Sequence, residues 1–368
     1  MVVHLRLYFD YLHRNLGPWY VRVFNTLFAV GGAGALLIYC VVALVFAWKG
    51  TPAYWDYVGP VSLLIVIQPY LSGATNYLEA HREQRKLAVF NVSQRLLPPI
   101  FLLLLLATAV PQTTAVIVSQ VAGGLFLIFT IRTPRSSNVS SIGPDSEGTE
   151  LRNLINSITA FGWELPIGYV VMWLVTTSDR YIIQHFMTLH DVGLYAMNYG
   201  IWSMPYLMLN GVLEIMTRSS VYESAARSDW GGVQNILLWR SAVALLLGLA
   251  GTCLLYFLAN PIGAAILGEQ YRIDRQFVII IALAHCFCIL GYSILPVFLA
   301  AKRSQMIMWS SVAAAICNLS LNWFVIPTFG LTGAALATLL TYMLWSAILW
   351  GGGYYLKNSL AAKEQYKW

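Results

Sequence analysis

The sequence predicts an all-α polytopic membrane protein with about ten transmembrane helices. Hydrophobic residues make up 58% of the chain and charged residues only 10%, whereas about a quarter of the residues of a typical soluble domain are charged. The apolar residues also fall into runs of roughly 20, the length that an α-helix needs to cross a bilayer. The net charge of +6 does not indicate a nucleic-acid-binding surface, because the basic residues lie in short segments between these runs.

The apolar runs follow a basic, aromatic lead-in at 1–23. The predicted spans are 24–48, 57–79, 88–109, 113–132, 156–178, 192–216, 235–259, 276–300, 304–326 and 330–356. The long polar connection after the fourth span is rich in Ser, Gly and Pro, which is typical of a linker. The predicted domains are an N-terminal lobe of four helices at 24–132, a cytoplasmic linker at 133–155, a C-terminal lobe of six helices at 156–356 and a cytoplasmic tail at 357–368.

Basic residues are distributed unequally between alternate connections. Of the 22 Lys and Arg residues, sixteen lie on one side of the predicted spans, whereas four lie on the other. The four are Lys49, Arg180, Arg272 and Arg275. Because cytoplasmic loops of membrane proteins carry an excess of Lys and Arg, we predict that both termini and the linker are cytoplasmic.

An internal repeat relates the two ends of the chain. The turn after the second span reads Y-L-E-A-H-R-E-Q at 77–84, and the turn after the eighth reads F-L-A-A-K-R-S-Q at 298–305. Val110-Pro111 then aligns with Ile326-Pro327. The first four spans therefore correspond to the last four, and the fifth and sixth have no counterpart before residue 24.

Ionisable residues inside or beside the spans are the candidates for a transport site, because such groups are costly in hydrocarbon. The candidates are Arg95 in the third span, Glu164, Glu214 and Arg240 near the predicted cytoplasmic ends of later spans, and Asp179 and Arg180 at the opposite end of the fifth span. Two simpler interpretations stay open. Glu164, Glu214 and Arg240 could snorkel to the lipid headgroups, and the Asp179-Arg180 pair could cap a helix at the membrane surface.

The sequence contains no pattern that indicates an enzyme or a bound cofactor. It has no Gly-rich phosphate loop, no nucleophile elbow and no metal-ligand spacing. The five cysteines lie in apolar runs, where we interpret them as small core residues. His285 stands alone in an apolar run, which favours a packed or interfacial histidine over a proton relay.

Three stretches in the second half of the chain carry a family resemblance. The fifth span ends in S-D-R at 178–180 and is followed by D-V-G-L-Y at 191–195. A second stretch has N-L-S-L-N at 318–322 and I-P-T-F-G-L-T-G-A-A-L-A-T at 326–338, and a weaker one has L-G-E-Q-Y at 267–271. In this order they resemble the Wzx-type polysaccharide flippases of the multidrug/oligosaccharidyl-lipid/polysaccharide (MOP) superfamily.

The resemblance implies a MATE-like fold of twelve helices in two pseudo-repeated six-helix lobes. This chain, with four plus six, would lack the first two helices of the family. The implied function is a flippase that moves polyprenyl-pyrophosphate-linked oligosaccharides (O-antigen, capsule or exopolysaccharide units) across the cytoplasmic (inner) membrane by alternating access. The implied partners are lipid-linked oligosaccharide, membrane lipids and a coupling ion, either proton or sodium, and the six candidate residues would contact the substrate.

Three other functions remain open at this point. A cation-coupled multidrug antiporter of the same superfamily would favour acidic rather than basic groups in its cavity, and Arg95 and Arg180 argue against it. A membrane polysaccharide polymerase would usually have a long external loop, whereas the predicted external loops are short. The chain could also be an inactive truncated fragment.

The predicted orientation can be tested by cysteine labelling in intact cells. In a chain whose own cysteines are replaced, Ser146→Cys in the linker should be protected from an impermeant thiol reagent. Gln270→Cys, near Arg272, should be labelled, because the Lys/Arg distribution places it outside. Labelling of Ser146→Cys from outside would reverse the predicted orientation.

Overall fold

The computed structural model describes two parts of the chain in detail and the remainder in short pieces. The described residues are 33, 36–37, 39–40, 61–68, 71–72, 75, 78, 84–106, 112–130, 148–149, 151–153, 155–156, 162–267 and 274–365. Within them the backbone forms helices and short turns, without a strand, as predicted. The chain divides into two compact units, Met1–Leu151 and Arg152–Trp368. This boundary lies within the segment 133–155, whose role as a cytoplasmic linker stays a prediction.

Unit 1 contains two long described helices, α1 at Gln84–Leu106 and α2 at Gln112–Thr130. They correspond to the predicted third and fourth spans. Of the first predicted span only 33, 36–37 and 39–40 are described, and of the second 61–68, 71–72, 75 and 78. A glycine of α2 permits close packing: a Cβ atom on Gly124 would lie 2.7 Å from the Cγ2 atom of Ile67. Pro98 and Pro99 lie inside α1, which is tolerated where neighbouring helices satisfy the freed carbonyls.

Unit 2 is a bundle of helices that run alternately in opposite directions. They are α3 at Glu164–Phe186, α4 at Leu189–Ala226, α5 at Trp230–Leu267, α6 at Arg275–Ala300 and α7 at Ser304–Gln365. The turns at 227–229 and 301–303 lie at one end of the bundle, which we call the Lys302 end. The connection at Met187–Thr188 and a break in α7 lie at the other, which we call the Gly330 end.

The break divides α7 into two helical segments at Gly330. Its backbone angles are φ 56° and ψ −138°, a combination that is strained for every residue with a Cβ atom. Without the break, α7 would be 62 residues long, or about 93 Å at 1.5 Å per residue, far more than a bilayer requires. The two segments, 304–329 and 331–365, therefore correspond to the two separate spans that the sequence predicts.

Helix α6 is the centre of unit 2 and contacts α4, α5 and α7. In the most apolar 18-residue stretch of α6, 61% of the residues are buried, against 22% in the corresponding stretch of α5. Cys286 and Cys288 point to different sides of α6 and are both buried, because protein surrounds the helix. The prediction that the cysteines are core residues is confirmed for these two and wrong for Cys253, which is exposed on α5.

Three helices in the described residues are long and apolar enough to cross a membrane: Trp230–Ala264, Arg275–Ala300 and Ser304–Leu356. They belong to α5, α6 and α7. Helices α3 and α4 are also long, at 23 and 38 residues, but they carry most of the charged candidate residues. Neighbouring helices bond two of these groups: Tyr195 of α4 donates to Asp179 of α3, and Ser304 of α7 donates to Glu164 of α3.

The sequence prediction placed the end of the fifth span wrongly. It ended that span at residue 178, with Asp179 and Arg180 at its end and Gln184, His185 and His190 in the link that follows, whereas α3 continues to Phe186. The connection to α4 is only Met187–Thr188. It is this short because Thr188 and Asp191 form a capping box, in which each backbone N–H donates to the side chain of the other residue, at 3.0 Å and 3.3 Å.

The backbone conformation of Gly330 predicts that replacing this residue by alanine destabilises the protein. Gly330→Ala should lower the free energy of unfolding by about 1–2 kcal/mol, because a Cβ atom is strained at positive φ. The measurement is the thermal unfolding midpoint of the purified protein in detergent.

Gly351→Ala is the matched control in the same helix. A Cβ atom at Gly351 would meet nothing within 4 Å, and alanine is the better helix former by about 1 kcal/mol. This variant should therefore be as stable as the wild type or more stable. An equal loss of stability in both variants would contradict the assignment of a break at Gly330.

Candidate functional site

The structure distributes the six candidate residues over both units. Arg95 lies on α1 in unit 1, and its side chain is outside the described residues. The other five lie in unit 2 at three places. Asp179 and Arg180 lie toward the Gly330 end, whereas Glu214 and Arg240 lie together on α4 and α5, and Glu164 begins α3.

Asp179 is buried between helices and does not lie at the surface. Its side chain is 1% exposed. The Tyr195 hydroxyl of α4 donates a hydrogen bond to its Oδ2 atom, and the Arg180 backbone N–H donates to Oδ1 at 2.9 Å. The hypothesis that Asp179 and Arg180 form a cap at the membrane surface is therefore wrong for Asp179, whose partner is a tyrosine of the neighbouring helix.

Arg180 forms no ion pair with Asp179 within the described residues. The residue is half-buried, and its Nε atom is buried without a hydrogen-bond partner in the described part of the chain. A guanidinium group has five N–H donors and no acceptor. Arg180 therefore has donor capacity that the described protein groups do not use.

A set of buried amide and hydroxyl groups joins α3 to both segments of α7. Ser178 Oγ donates to Asn318 Oδ1 at 3.1 Å, and Asn322 Nδ2 donates to the same oxygen at 3.0 Å. Asn318 Nδ2 donates to Thr341 Oγ1 at 3.4 Å. We call Ser178, Asn318, Asn322 and Thr341 the amide cluster. The Oδ1 atom of Asn322 is buried and has no partner in the described residues, which leaves one strong acceptor open.

Aromatic rings fill the space between α4, α6 and α7. The Tyr199 and Tyr342 hydroxyls are 3.2 Å apart, and the ring of His285 packs at 5.4 Å and 5.7 Å from their rings. His285 is 2% exposed, and its Nδ1 atom lies 2.8 Å from the carbonyl oxygen of Ile281. The interpretation of His285 as a packed histidine is confirmed.

Arg240, Asn210, Glu214 and Arg218 form what we call the arginine cluster, between α4 and α5. Arg240 is 1% exposed, and its Nη2 atom donates to Asn210 Oδ1 at 3.1 Å. Glu214 forms an ion pair with Arg218 at 2.5 Å. The snorkelling interpretation is wrong for Arg240, because its side chain is covered by protein and bonded to a neighbouring helix.

Glu164 connects the first turn of α3 to the first turn of α7. It is 2% exposed, and the Ser304 hydroxyl donates a hydrogen bond to its Oε2 atom. In the described residues no hydrogen bond or ion pair joins Glu164 to the other candidates. Its burial excludes snorkelling and indicates a contact that holds the Lys302 end of the bundle together.

Sequence reasoning assigned no site role to three residues that the structure places at these sites. They are Asn210, Arg218 and Tyr195, which is the tyrosine of the D-V-G-L-Y motif. One signal was available. Glu214 and Arg218 are four residues apart, the spacing at which opposite charges meet on a helix.

No group of three or more His, Cys, Asp or Glu side chains in the described residues could hold a metal ion. The groups near Asp179 are instead amide and hydroxyl oxygens, which are ligands of hard cations.

Comparison with known proteins identifies a family for the sequence. The family described as "Polysaccharide biosynthesis protein" matches residues 19–275, which is more than half of the 368 residues. No curated protein matches the chain in sequence.

Several solved structures of transporters are similar in fold. A crystal structure of MATE in complex with MaL6 has a TM-score of 0.77 at 13% identity, and it covers 98% of this chain and 84% of that chain. An outward-facing multidrug resistance MATE family transporter of the MOP superfamily has a TM-score of 0.67 at 11% identity with the same coverage. A MOP superfamily transporter from Pyrococcus furiosus, described as having a binding pocket of reverse polarity, has a TM-score of 0.72 at 13% identity, again over 98% and 84%. The predicted MATE-like membrane fold is therefore confirmed.

The hydrogen bond between Tyr195 and Asp179 predicts a loss of stability. Tyr195→Phe removes the hydroxyl and leaves the buried carboxylate without that donor, which should cost about 1–3 kcal/mol of unfolding free energy. Tyr181→Phe is the control on α3, because Tyr181 is 70% exposed and should change stability by less than about 0.5 kcal/mol. Equal unfolding midpoints for the two variants in detergent would show that the bond contributes nothing.

Proposed function

This chain belongs to the polysaccharide biosynthesis protein family, and on that premise we propose that it is a flippase for polyprenyl-pyrophosphate-linked oligosaccharides. The fold is that of MATE transporters of the MOP superfamily. The observation that carries the proposal is a pair of arginines in unit 2, the half-buried Arg180 and the buried Arg240. Arg180 and Arg240 both keep guanidinium nitrogen atoms without a partner in the described residues.

Arginine suits the head of such a substrate for a chemical reason. A pyrophosphate linked to a lipid and a glycan carries two negative charges and several acceptor oxygens. Guanidinium groups are always charged and can donate two parallel hydrogen bonds to a phosphate. We therefore propose that Arg95, Arg180 and Arg240 contact the pyrophosphate and that Asp179, Glu164 and Glu214 position the basic groups or hold the helices that carry them.

The direction of transport is favoured by the membrane potential. Moving one charge across a potential of 100 mV changes the free energy by about 2.3 kcal/mol, so two negative charges that leave an inside-negative cell gain about 4–5 kcal/mol. We propose that the Lys302 end faces the cytoplasm, as both termini do in the predicted orientation. The substrate would then move from that end toward the Gly330 end during alternating access.

The proposed setting is the cytoplasmic (inner) membrane, and the proposed product is a surface polysaccharide. O-antigen of lipopolysaccharide, capsule and exopolysaccharide are all built from lipid-linked units of this chemistry. The proposed partners are therefore the lipid-linked oligosaccharide and the surrounding lipids.

A coupling cation, either proton or sodium, is a second part of the proposal. Asp179 is a buried carboxylate, and the nearby amide cluster contains an Asn322 oxygen without a partner in the described residues. The same observation also favours a cation-coupled multidrug antiporter as the second candidate function. Export of polysaccharide that continues without sodium and with a collapsed proton gradient would remove the coupling ion from the flippase proposal.

The arginine hypothesis is tested in cells that lack their own flippase. Arg180→Ala should reduce the restored surface polysaccharide by about 10–100-fold, because a charge-assisted hydrogen bond contributes about 1.5–3 kcal/mol. Arg180→Lys should keep part of the activity, since it keeps the charge and loses the two-pronged geometry. Arg95→Ala and Arg95→Lys should behave in the same way.

Arg227→Ala is the matched control, because Arg227 is exposed and is already paired with Glu223 at 2.6 Å. It should export normally, and all variants should reach normal membrane abundance. Unimpaired export by both Arg180→Ala and Arg95→Ala would remove these arginines from the mechanism. Export of a drug cation by the wild-type chain, without any restoration of polysaccharide, would instead favour the antiporter.

A further inference from the structure

A cavity lies between α5, α6 and α7 near the Lys302 end of unit 2. Its volume is about 200 Å³. Helices α5 and α7 both pack against α6, and at this level they form opposite walls of the cavity. Nine of its described lining residues are apolar or aromatic, and one, Gln234, carries an amide. The walls include Leu237 and Leu238 of α5, Ile294 and Val297 of α6, and Trp350 and Tyr354 of α7.

A run of three glycines at 351–353 explains why the helices leave this space. Trp350 and Tyr354 flank the run, and Gly353 forms part of the wall without a side chain. A Cβ atom on Gly353 would lie 3.0 Å from the Cγ1 atom of Ile294, so α7 lies close to α6 and leaves the space beside this contact unfilled. The Trp350 ring does not fill it, because its Nε1 atom donates to the Leu290 carbonyl oxygen at 3.1 Å.

The cavity lies near the ends of three helices that are long and apolar enough to cross a membrane. These helices are Trp230–Ala264, Arg275–Ala300 and Ser304–Leu356. The lining residues lie at 230–238, 294–297 and 350–354, within about 12 Å of one end of each helix at 1.5 Å per residue. Trp and Tyr side chains are enriched at this depth, where the headgroup region meets the acyl chains. The cavity is therefore placed beside the upper part of the lipid chains.

The chemistry of the lining favours a hydrocarbon chain over water. A buried water molecule needs about two to four polar partners, whereas apolar cavities of about 150 Å³ stay dry and accept apolar ligands. Leu238 is 48% exposed and Tyr354 is 70% exposed, so the cavity opens between these two residues. The opening faces the same side as the outward surface of α5, which is the surface that lipid covers.

The size of the cavity excludes larger occupants. One turn of a helix is about 10 Å across and about 5 Å long, which is more than a volume of about 200 Å³ allows. A helix of a second copy therefore cannot enter. Six or seven groups of roughly 30 Å³ each, the volume of a water molecule, do fit. An unbranched acyl segment matches this space better than an isoprenoid chain, which carries a methyl branch on every unit.

We propose that this cavity is a binding site for one acyl chain of a membrane phospholipid. The chain enters between Leu238 and Tyr354 and contacts Leu237 and Val297, while the headgroup stays outside. A bound chain restores the dispersion contacts that the walls of an empty cavity lack, so it stabilises unit 2. The site recognises the chain and not the headgroup, and it does not depend on the identity of the transported substrate.

The binding test measures the thermal unfolding midpoint of the purified full chain in detergent after its lipids have been removed. Dioleoyl phosphatidylcholine should raise the midpoint of the wild type saturably, by about 2–4 °C. Val297→Phe places a larger side chain in the cavity and should lose most of this shift. Leu238→Trp, which narrows the opening, should also lose it and serves if Val297→Phe does not fold.

Leu246→Trp is the matched control for Leu238→Trp. Leu246 lies two turns further along α5, is 70% exposed and does not line the cavity. The variant makes the same replacement on the lipid-facing surface and should respond to phosphatidylcholine as the wild type does. A wild type without a saturable shift, or cavity variants that respond as the control does, overturns the proposal.

A second arm separates the acyl chain from the headgroup and from other lipids. Dioleoyl phosphatidylglycerol should produce the same shift as dioleoyl phosphatidylcholine, whereas a short-chain phosphatidylcholine should produce none. A response to phosphatidylglycerol alone would show recognition of a charged headgroup and overturn the proposal. A response to polyprenyl phosphate alone, lost in Val297→Phe, would assign the cavity to an isoprenoid lipid and overturn it as well.

A measurement on the wild type does not require a folded variant. Phosphatidylcholine with a photoreactive diazirine in its acyl chain is irradiated with the protein, and mass spectrometry locates the cross-links. Unlabelled phosphatidylcholine in slight excess should reduce the cross-links to Leu238 and Tyr354 several-fold and leave those to Leu246 nearly unchanged. Equal competition at all three residues, or no cross-link at the cavity, shows that no acyl chain occupies it and overturns the proposal.

Discussion

Charged and polar side chains inside a bundle of apolar helices must be satisfied by neighbouring helices, because hydrocarbon offers them no hydrogen bonds. This constraint explains where the helices of unit 2 meet. Asp179 of α3 is bonded by Tyr195 of α4, Ser178 of α3 by Asn318 of α7, and Arg240 of α5 by Asn210 of α4. Apolar packing alone would permit many rotations of each helix, since lipid and protein are similarly apolar. The polar contacts select one arrangement.

The same constraint separates what the sequence could predict from what it could not. The apolar runs gave the helical class, and the motifs around Asp179 and Asn318 gave the family, because both signals are local in sequence. The end of α3 was predicted wrongly because Asp179 and Arg180 were treated as groups that must leave the apolar region. A partner 16 residues later on α4, Tyr195, keeps Asp179 inside, and no local pattern shows that pairing.

The site was predictable in part for a related reason. Charged residues within apolar runs are conspicuous, so the five candidates in unit 2 could be named. Burial could not be assigned, since periodicity does not distinguish a protein-facing side from a lipid-facing side when both are apolar. Arg240 and Glu164 were therefore expected near headgroups, whereas both are covered by neighbouring helices. The polar partners Asn210 and Ser304 come from other helices, and only the three-dimensional arrangement brings them close.

The central position of α6 has a consequence for the way in which the protein responds to the thickness of its membrane. Because α4, α5 and α7 surround α6, this helix has little lipid contact, and a mismatch between its length and the bilayer exerts little direct force on it. Helix α5 is the opposite case: it is 38 residues long, and most of its apolar surface faces outward. A thicker or thinner bilayer acts on α5 by changing its tilt. Arg240 lies on α5 and Asn210 on α4. A change in bilayer thickness that tilts α5 therefore changes the position of Arg240 relative to Asn210.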